Sequence, residues 1–273
     1  MRALSISAAW EESKGILARD GQLLVTVALA LVAFPTALNA LVNPDRLNTA
    51  STPWWIDLIA VLASLIALAG QLALVRLAIG PSITVGGAIA HGLRRMPIYF
   101  LSVLMVVVGL IIVGVPLVFL LSALGVPVGV KSVPPSPATI IVGLIYIALI
   151  FFFGVRLLLS SPVASAEDRG PIGILVRSWQ LTSGYWWPLF GFLVLILVSA
   201  IILLIAIGSA VGVVIGLVFG AIEPMSAAAL VLALVQSLVS AAITTLFAVM
   251  LARIYVQLSG HGDVQASVPS SGI

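Results

Sequence analysis

The sequence contains no cysteine, only two histidines and few charged residues. Without cysteine the chain has no disulfide, no thiolate metal site and no thiol nucleophile. Charged residues make up 8% of the 273 positions, against about 25% in soluble domains. Hydrophobic residues make up 62%. This composition excludes a water-soluble fold and predicts an all-α, polytopic membrane protein.

Reactive groups are also scarce. His91 and His261 lie far apart in the sequence and do not form the paired spacing of a metal site. No G-x-x-x-x-G-K loop for nucleotide phosphates occurs. The nine acidic residues lie between the apolar stretches or near their ends, so no buried carboxylate pair is predicted for acid–base catalysis. We therefore expect a protein that is not an enzyme, needs no cofactor or metal and does not bind nucleic acid.

Long stretches without charge predict the membrane-spanning helices, because a spanning helix needs about 20 apolar residues. Six such stretches lie at about 21–42, 56–76, 97–124, 138–159, 187–220 and 224–255. Pro35 and Pro116 are placed to kink the first and third helices. The prediction is one integral membrane domain over residues 1–258, followed by a disordered, Gly/Ser-rich tail at 259–273.

The fifth stretch allows two interpretations, one long helix or two short ones joined by a turn. The segment from Trp187 to Gly220 is barely long enough for two spans, and no polar turn cluster divides it. One helix is therefore predicted. Pro224, a residue that suits the first turn of a helix, is predicted to begin the sixth span.

The cations predict the orientation, because Lys and Arg accumulate on the cytoplasmic side of a membrane. One predicted side holds ten of the twelve: Arg2, Lys14, Arg19, Arg76, Arg94, Arg95, Arg156, Arg169, Arg177 and Arg253. The other side holds only Arg46 and Lys131. Six spans with both termini in the cytoplasm are therefore predicted.

Three segments of mixed polarity, 9–17, 88–96 and 174–182, each precede an odd-numbered span. Their alignment places Ser13, Gly92 and Ser178 at one position, and the even-numbered spans end alike around Arg76, Arg156 and Arg253. This pattern predicts an internal repeat of three parallel hairpins, each preceded by a cytoplasmic interfacial helix.

The three arginines that end the even-numbered spans have two possible roles. They could extend to the membrane interface as long side chains often do, or they could pair with Glu11, Glu12 or Glu167. Pairing would make Arg156→Leu far more destabilising than Arg46→Leu.

A stripe of glycines recurs every four residues in the fifth span, at Gly208, Gly212, Gly216 and Gly220. Small residues on one face allow helices to approach closely. Three interpretations stay open: packing within the chain, contact in a homo-oligomer, or a face that lines a conduit. Trp179, Trp186 and Trp187 are predicted to anchor the membrane interface.

The stretch 156–189 resembles the membrane domain associated with glycerophosphoryl diester phosphodiesterases, a bacterial family. The resemblance lies in Arg156, Pro162, Glu167, Arg177, Ser178, Trp179, Leu181, Thr182, Gly184 and Trp187. That family usually has an acidic residue followed by glycine, where this chain has the run 167–170, Glu-Asp-Arg-Gly. The resemblance implies a non-catalytic domain of a bacterial inner membrane, since hydrolysis in the fused relatives belongs to a separate soluble barrel.

Two functions follow as hypotheses. The first is a membrane scaffold or accessory protein that uses its interfacial helices to sense lipid or to dock a membrane or cytoplasmic protein. The second is a small transporter or lipid-handling protein for a hydrophobic or glycerophospho-substrate. Few polar groups inside the spans argue against an ionic cargo.

Overall fold

The computed structural model describes residues 4–42, 54–80, 84–123, 136–219 and 226–260. Within these ranges the chain forms α1 (Ile6–Ala28), α2 (Phe34–Val42), α3 (Trp54–Ile79), α4 (Val85–Ala123), α5 (Pro137–Arg156), α6 (Ser160–Ala166), α7 (Pro171–Thr182), α8 (Trp186–Phe219) and α9 (Ala227–Ser259). Six long apolar helical segments in the described part of the chain are able to cross a membrane. The prediction of an all-α, polytopic membrane protein is confirmed.

The helix boundaries agree with the predicted spans at most points. α8 runs without a break from Trp186 to Phe219, as the one-helix interpretation of the fifth stretch predicted. α9 begins after Ser226, whose side chain accepts a hydrogen bond from the Ala229 amide. The predicted start at Pro224, Gly220 and the tail from residue 261 lie outside the described residues.

The segments predicted to be interfacial helices differ from one another in the structure. Residues 9–17 and 88–96 are helical, but they continue directly into the spans of α1 and α4. Only the third segment forms a separate helix, α7, because a turn follows it at Gly184, where φ is +89°. Glycine has no Cβ and adopts this conformation without strain. The first two segments are therefore helical but continuous with their spans, whereas the third is a helix of its own.

The regular α-helix of the first span is interrupted where α1 meets α2. Residues Leu29–Ala33 form a π-helical turn, in which the Phe34 amide donates to the Leu29 carbonyl. Pro35 follows at once; it has no amide hydrogen and its ring interferes with regular α-helical bonding to the preceding turn. At this point α3 lies very close, since a Cβ added at Gly70 would be 2.7 Å from the Leu31 Cβ.

The helices pack most tightly at the end of the bundle that holds Arg76, Arg156 and Arg253, which we call the arginine end. There Leu72, Ala73, Leu74 and Val75 of α3 are fully buried, and α9 is almost fully buried from Ala248 to Tyr255. The short helix α6 lies among α3, α4, α7 and α9. The Ser165 hydroxyl of α6 donates to the Leu72 carbonyl over 3.1 Å. α6 therefore joins the long helices at this end.

Candidate functional site

The end of α5 is held by two hydroxyl groups of α7. Ser178 Oγ donates to the Arg156 carbonyl over 3.0 Å, and Thr182 Oγ1 donates to the same oxygen over 3.2 Å. Both hydroxyl-bearing residues are fully buried. Carbonyl groups in the last turn of a helix lack intrahelical partners, so these bonds satisfy one of them. They also fix α7 across the end of α5.

This arrangement places an aromatic ring against the Arg156 guanidinium. Cζ of Arg156 lies 4.9 Å from the centre of the Trp179 ring and 5.7 Å from that of Phe152. These are cation–π distances. Nε and Nη1 of Arg156 are buried, and they have no hydrogen-bond partner among the described residues. Trp179 therefore covers a cation, in addition to the interfacial role that its sequence position predicts.

The other two arginines are in different surroundings. Arg253 Nε lies 3.0 Å from Glu12 Oε2, one of the pairs that the sequence predicted. Within the described ranges no carboxylate forms an ion pair with Arg76 or Arg156. The predicted pairing is thus present for Arg253 and absent for Arg156; Arg46 lies outside the described residues.

The three aligned small residues all lie at contacts between helices. Ser13 Oγ donates to the Ala9 carbonyl and lies 3.2 Å from the sulfur of Met250 on α9. A Cβ added at Gly92 would be 2.5 Å from the Ala69 carbonyl oxygen of α3. Ser178 contacts the end of α5 as described above. The internal repeat itself stays a prediction, because similar contacts do not establish a common origin.

Glu167, at the end of α6, is the centre of an ion-pair network. Its Oε1 accepts hydrogen bonds from Tyr255 OH over 2.9 Å and from Arg177 Nε over 3.1 Å, and Oε2 pairs with Arg169. The side chain is 13% exposed. Burial raises the pKa of Glu167, but hydrogen bonds from Arg169, Tyr255 and Arg177 outweigh burial and hold the pKa below its usual range. The network ties α6, α7 and α9 together.

An apolar groove lies between α4 and α5 and contains two cavities. The larger, of about 700 Å³, is lined by Met105, Gly109, Val113, Leu149, Phe153, Leu175, Val176 and Trp179, among others. The smaller, of about 530 Å³, lies farther from the arginine end and is lined by α4 and α5. Several residues that line the cavities are themselves open to the surroundings: Val113 is 51%, Val118 46% and Val176 50% exposed. The groove therefore faces the region that the bilayer occupies.

Tyr146 crosses the groove between the two cavities. Its hydroxyl donates to the Leu110 carbonyl over 3.2 Å, and a Cβ added at Gly114 would be 2.9 Å from that hydroxyl. Few polar side chains line the groove: Tyr146 and Thr139 in the smaller cavity, Trp179 and Gln180 in the larger. The site thus combines a long apolar surface with one cation at its arginine end.

The glycine stripe contributes less packing than the sequence suggested. A Cβ added at Gly208 would be 3.1 Å from Nε2 of Gln236 on α9, whereas Gly212 and Gly216 have no such neighbour within 4 Å. Packing within the chain therefore involves Gly208 alone, and Gly220 lies outside the described residues. Of the predicted anchors, Trp187 is 75% exposed, while Trp186 stacks on Phe190 with 4.9 Å between ring centres.

Two tyrosines of the site were not singled out from the sequence. Tyr146 is isolated in an otherwise apolar span, and Tyr255 follows Arg253 in the last turns of α9. A hydroxyl in an apolar span needs a hydrogen-bond partner, so the presence of a tyrosine there could have indicated a polar contact between helices. His91, expected to be incidental, donates from Nε2 to the Ser165 carbonyl over 2.9 Å.

Comparison with known proteins identifies a family but no characterised relative. No curated protein and no solved structure matches the chain. A family model described as a domain of unknown function, DUF7847, matches residues 4–258, which include all of the described helices except the last residue of α9. The chain belongs to the DUF7847 family, whose function is not defined.

Proposed function

We propose that this membrane protein is a non-catalytic lipid-binding protein, which holds a hydrocarbon chain of a bilayer lipid in the groove between α4 and α5. The observation that carries this proposal is the pair of apolar cavities along one helix–helix face. Each volume lies in the range of about 300–1,000 Å³ that is typical of ligand sites. A hydrocarbon chain matches the lining, because it needs no hydrogen-bond partner.

The contacts of α5 favour lipid binding in the groove over close packing of α5 against α4. α5 contacts α7 at its end and α8 through aromatic rings such as Phe151 on Phe190, whereas Tyr146 links it to α4 at mid-length; most of its Ile and Leu side chains face outward. Helices in a bilayer associate through small residues and close backbone contact. Gly109 and Gly143 line the groove, yet a Cβ added at either would meet nothing within 4 Å. The space is therefore available to a flexible chain.

Photo-crosslinking tests the proposal. The full-length protein is placed in nanodiscs that contain a phospholipid with a diazirine in its acyl chain, and labelled peptides are mapped by mass spectrometry. Labelling is expected to concentrate on the groove faces of α4 and α5. It should exceed labelling of Leu195, Ile202 and Leu217 on α8, which are 62–83% exposed and report general contact with the bilayer.

A matched pair of variants provides the control. Gly109→Leu fills the groove and is expected to remove the excess labelling of α4 and α5. Gly212→Leu adds the same side chain at an open position on α8 and should leave the labelling unchanged. Uniform labelling of all lipid-facing helices, insensitive to Gly109→Leu, would overturn the proposal.

The remaining features predicted from the sequence belong to this proposal as untested parts of it. They are the bacterial inner membrane with both termini in the cytoplasm, the resemblance to the phosphodiesterase-associated membrane domain, and a homo-oligomer through α8. The scaffold or accessory role is compatible with lipid binding if the bound lipid is presented to a protein partner. Co-purification of a partner that is lost with Gly109→Leu would support that combination.

A further inference from the structure

The three arginines that end α3, α5 and α9 differ in what balances their charge. Arg253 has Glu12 as a carboxylate partner at 3.0 Å, so its charge is balanced even though its Nε makes no well-aligned hydrogen bond within the described ranges. Arg156 has only the faces of Trp179 and Phe152, and two of its buried nitrogens donate to no acceptor in the described part of the chain. Aromatic faces balance charge in part, but they do not replace an oxygen acceptor for each N–H group. An anion near Arg156 would supply what is missing.

The carboxylates that follow α6 already have other partners. Glu167 receives Arg177, Tyr255 and Arg169. Asp168 pairs with Arg95 of α4. Neither Glu167 nor Asp168 can therefore approach Arg156 without breaking one of these contacts.

Trp179 connects the Arg156 guanidinium to the groove. Its ring lies 4.9 Å from Cζ of Arg156, and the same side chain lines the larger cavity. Leu157, the residue after Arg156, lines that cavity as well. The site therefore has a cation at one end and an apolar channel that leads away from it along α4 and α5. This order matches an amphiphile with an anionic head and a hydrocarbon tail.

From this arrangement we infer that the lipid in the groove is an anionic phospholipid, with its phosphate at Arg156 and one acyl chain between α4 and α5. The inference rests on the proposed function and adds the chemical class of the ligand. A guanidinium suits this role, because it presents several N–H donors to phosphate oxygens in fixed geometry. A free phosphate ion would use the cation and leave the groove empty.

Competition between two lipids with identical chains tests the head-group assignment. Full-length protein in nanodiscs carries a photoreactive phosphatidylglycerol, and unlabelled phosphatidylglycerol or phosphatidylcholine is added as competitor. Phosphatidylglycerol is expected to compete about tenfold better, because both lipids carry the phosphate but the choline cation of phosphatidylcholine opposes the Arg156 cation. Equal competition by the two lipids would overturn the inference.

Substitutions of Arg156 test whether this residue causes the preference for phosphatidylglycerol. Arg156→Gln is expected to remove most of the tenfold difference, and Arg156→Lys, which keeps the charge, should retain a large part of it. Arg94→Gln is the control. Arg94 is an exposed residue near the start of α4, and its substitution removes one positive charge, as Arg156→Gln does. A preference that survives in Arg156→Gln, or that disappears equally in Arg94→Gln, would contradict the assignment to Arg156. If Arg156→Gln does not fold, the lipid competition with the unaltered protein still decides.

The two proposals fail in different ways. Groove labelling that depends on Gly109 but is equal for both lipids would leave the proposed function intact and reject the anionic head group. Loss of groove labelling altogether would reject both. Competition by inorganic phosphate at the same concentration as the lipid would show anion binding without an acyl chain, and would also reject the inference.

Discussion

In the arginine end and the opposite half of the bundle the helix faces are mainly apolar, but the two regions are packed differently. At the arginine end, Leu72 to Val75 of α3 and Ala248 to Tyr255 of α9 contact other helices on nearly all sides. Toward the opposite end, α5 and α8 expose large side chains such as Leu144 at 60% and Leu217 at 83%. Hydrophobicity therefore does not distinguish the two regions; the size of the residues at helix contacts does.

Small residues and hydroxyl groups produce the tight packing. Gly92 lies against the backbone of α3, Ser165 donates to the Leu72 carbonyl, and Ser178 donates to the Arg156 carbonyl. In a bilayer, lipid tails are as apolar as leucine, so close packing and interhelical hydrogen bonds replace the hydrophobic effect as the cause of association. Where such contacts are few, as between α4 and α5, a groove remains.

The largest expected effect comes from adding one methyl group at a tight contact. In Gly92→Ala the new Cβ would be 2.5 Å from the Ala69 carbonyl oxygen and 3.2 Å from the Ala73 amide nitrogen. Both atoms belong to the backbone and cannot move independently, so we expect a loss of about 3 kcal/mol. A lower apparent melting temperature in detergent, at one fixed scan rate, would show it.

Gly109→Ala is the matched control, because it makes the same change on the same helix beside the groove. No atom lies within 4 Å of the added Cβ, and alanine favours a helix over glycine by about 0.5–1 kcal/mol. We therefore expect an unchanged or higher melting temperature. Equal losses in the two variants would show that the two regions are packed alike, against the comparison made above.

The second effect concerns the network that closes the arginine end. Glu167→Gln removes the charge that faces Arg177 and Arg169, and the expected loss is about 2 kcal/mol, in the range for hydrogen bonds to charged groups. Glu11→Gln serves as control. Glu11 pairs with Lys14 at the surface with 68% of its side chain exposed, where pairs contribute about 0–1 kcal/mol.

Lowering the pH should remove the stabilisation that the Glu167 carboxylate provides. The pKa of Glu167 is lower in the folded protein than the ordinary value of 4.5. The contribution is therefore fully present above about pH 4.5 and is lost as the pH falls through the folded-state pKa. Melting temperatures of the unaltered protein and Glu167→Gln should converge on acidification. If the difference between the two melting temperatures stays constant as the pH falls well below 4.5, the charge of the Glu167 carboxylate does not stabilise the fold.

The sequence predicted the six spans because a bilayer requires about 20 apolar residues for each, and charges mark where the spans stop. It did not predict which faces would meet. α5 is apolar all round, so no polar stripe distinguished the groove from the lipid-facing side. Which ring covers Arg156 depends on how α7 is rotated about its axis. Ser178 and Thr182 fix that rotation by donating to the Arg156 carbonyl, which lies 22 and 26 residues earlier in the sequence, respectively. Regular glycine spacing in α8 was equally uninformative, because a Cβ added at Gly212 or Gly216 would meet no atom within 4 Å.

The smallest expected effect lies in the groove itself. Tyr146→Phe removes the hydroxyl that donates to the Leu110 carbonyl across the gap, while it keeps the ring. Interhelical hydrogen bonds in membranes contribute about 0.6 kcal/mol on average, because the alternative state also finds partners. We expect a loss of that size, well below the effect of Gly92→Ala, measured by the same thermal unfolding.

Tyr146→Phe also tests whether Tyr146 only links α4 to α5 or also blocks the passage of an acyl chain along the groove. If Tyr146 only holds α4 and α5 together, Tyr146→Phe should leave the excess lipid labelling of the groove unchanged, since the ring still lies between the two cavities. Tyr146→Ala removes the ring and should join the cavities, so label carried farther along the acyl chain should reach Val118 and Val142. A loss of stability in Tyr146→Phe as large as that in Gly92→Ala would mean that α5 is packed as firmly as the arginine end. The groove would then be too rigid to admit a chain.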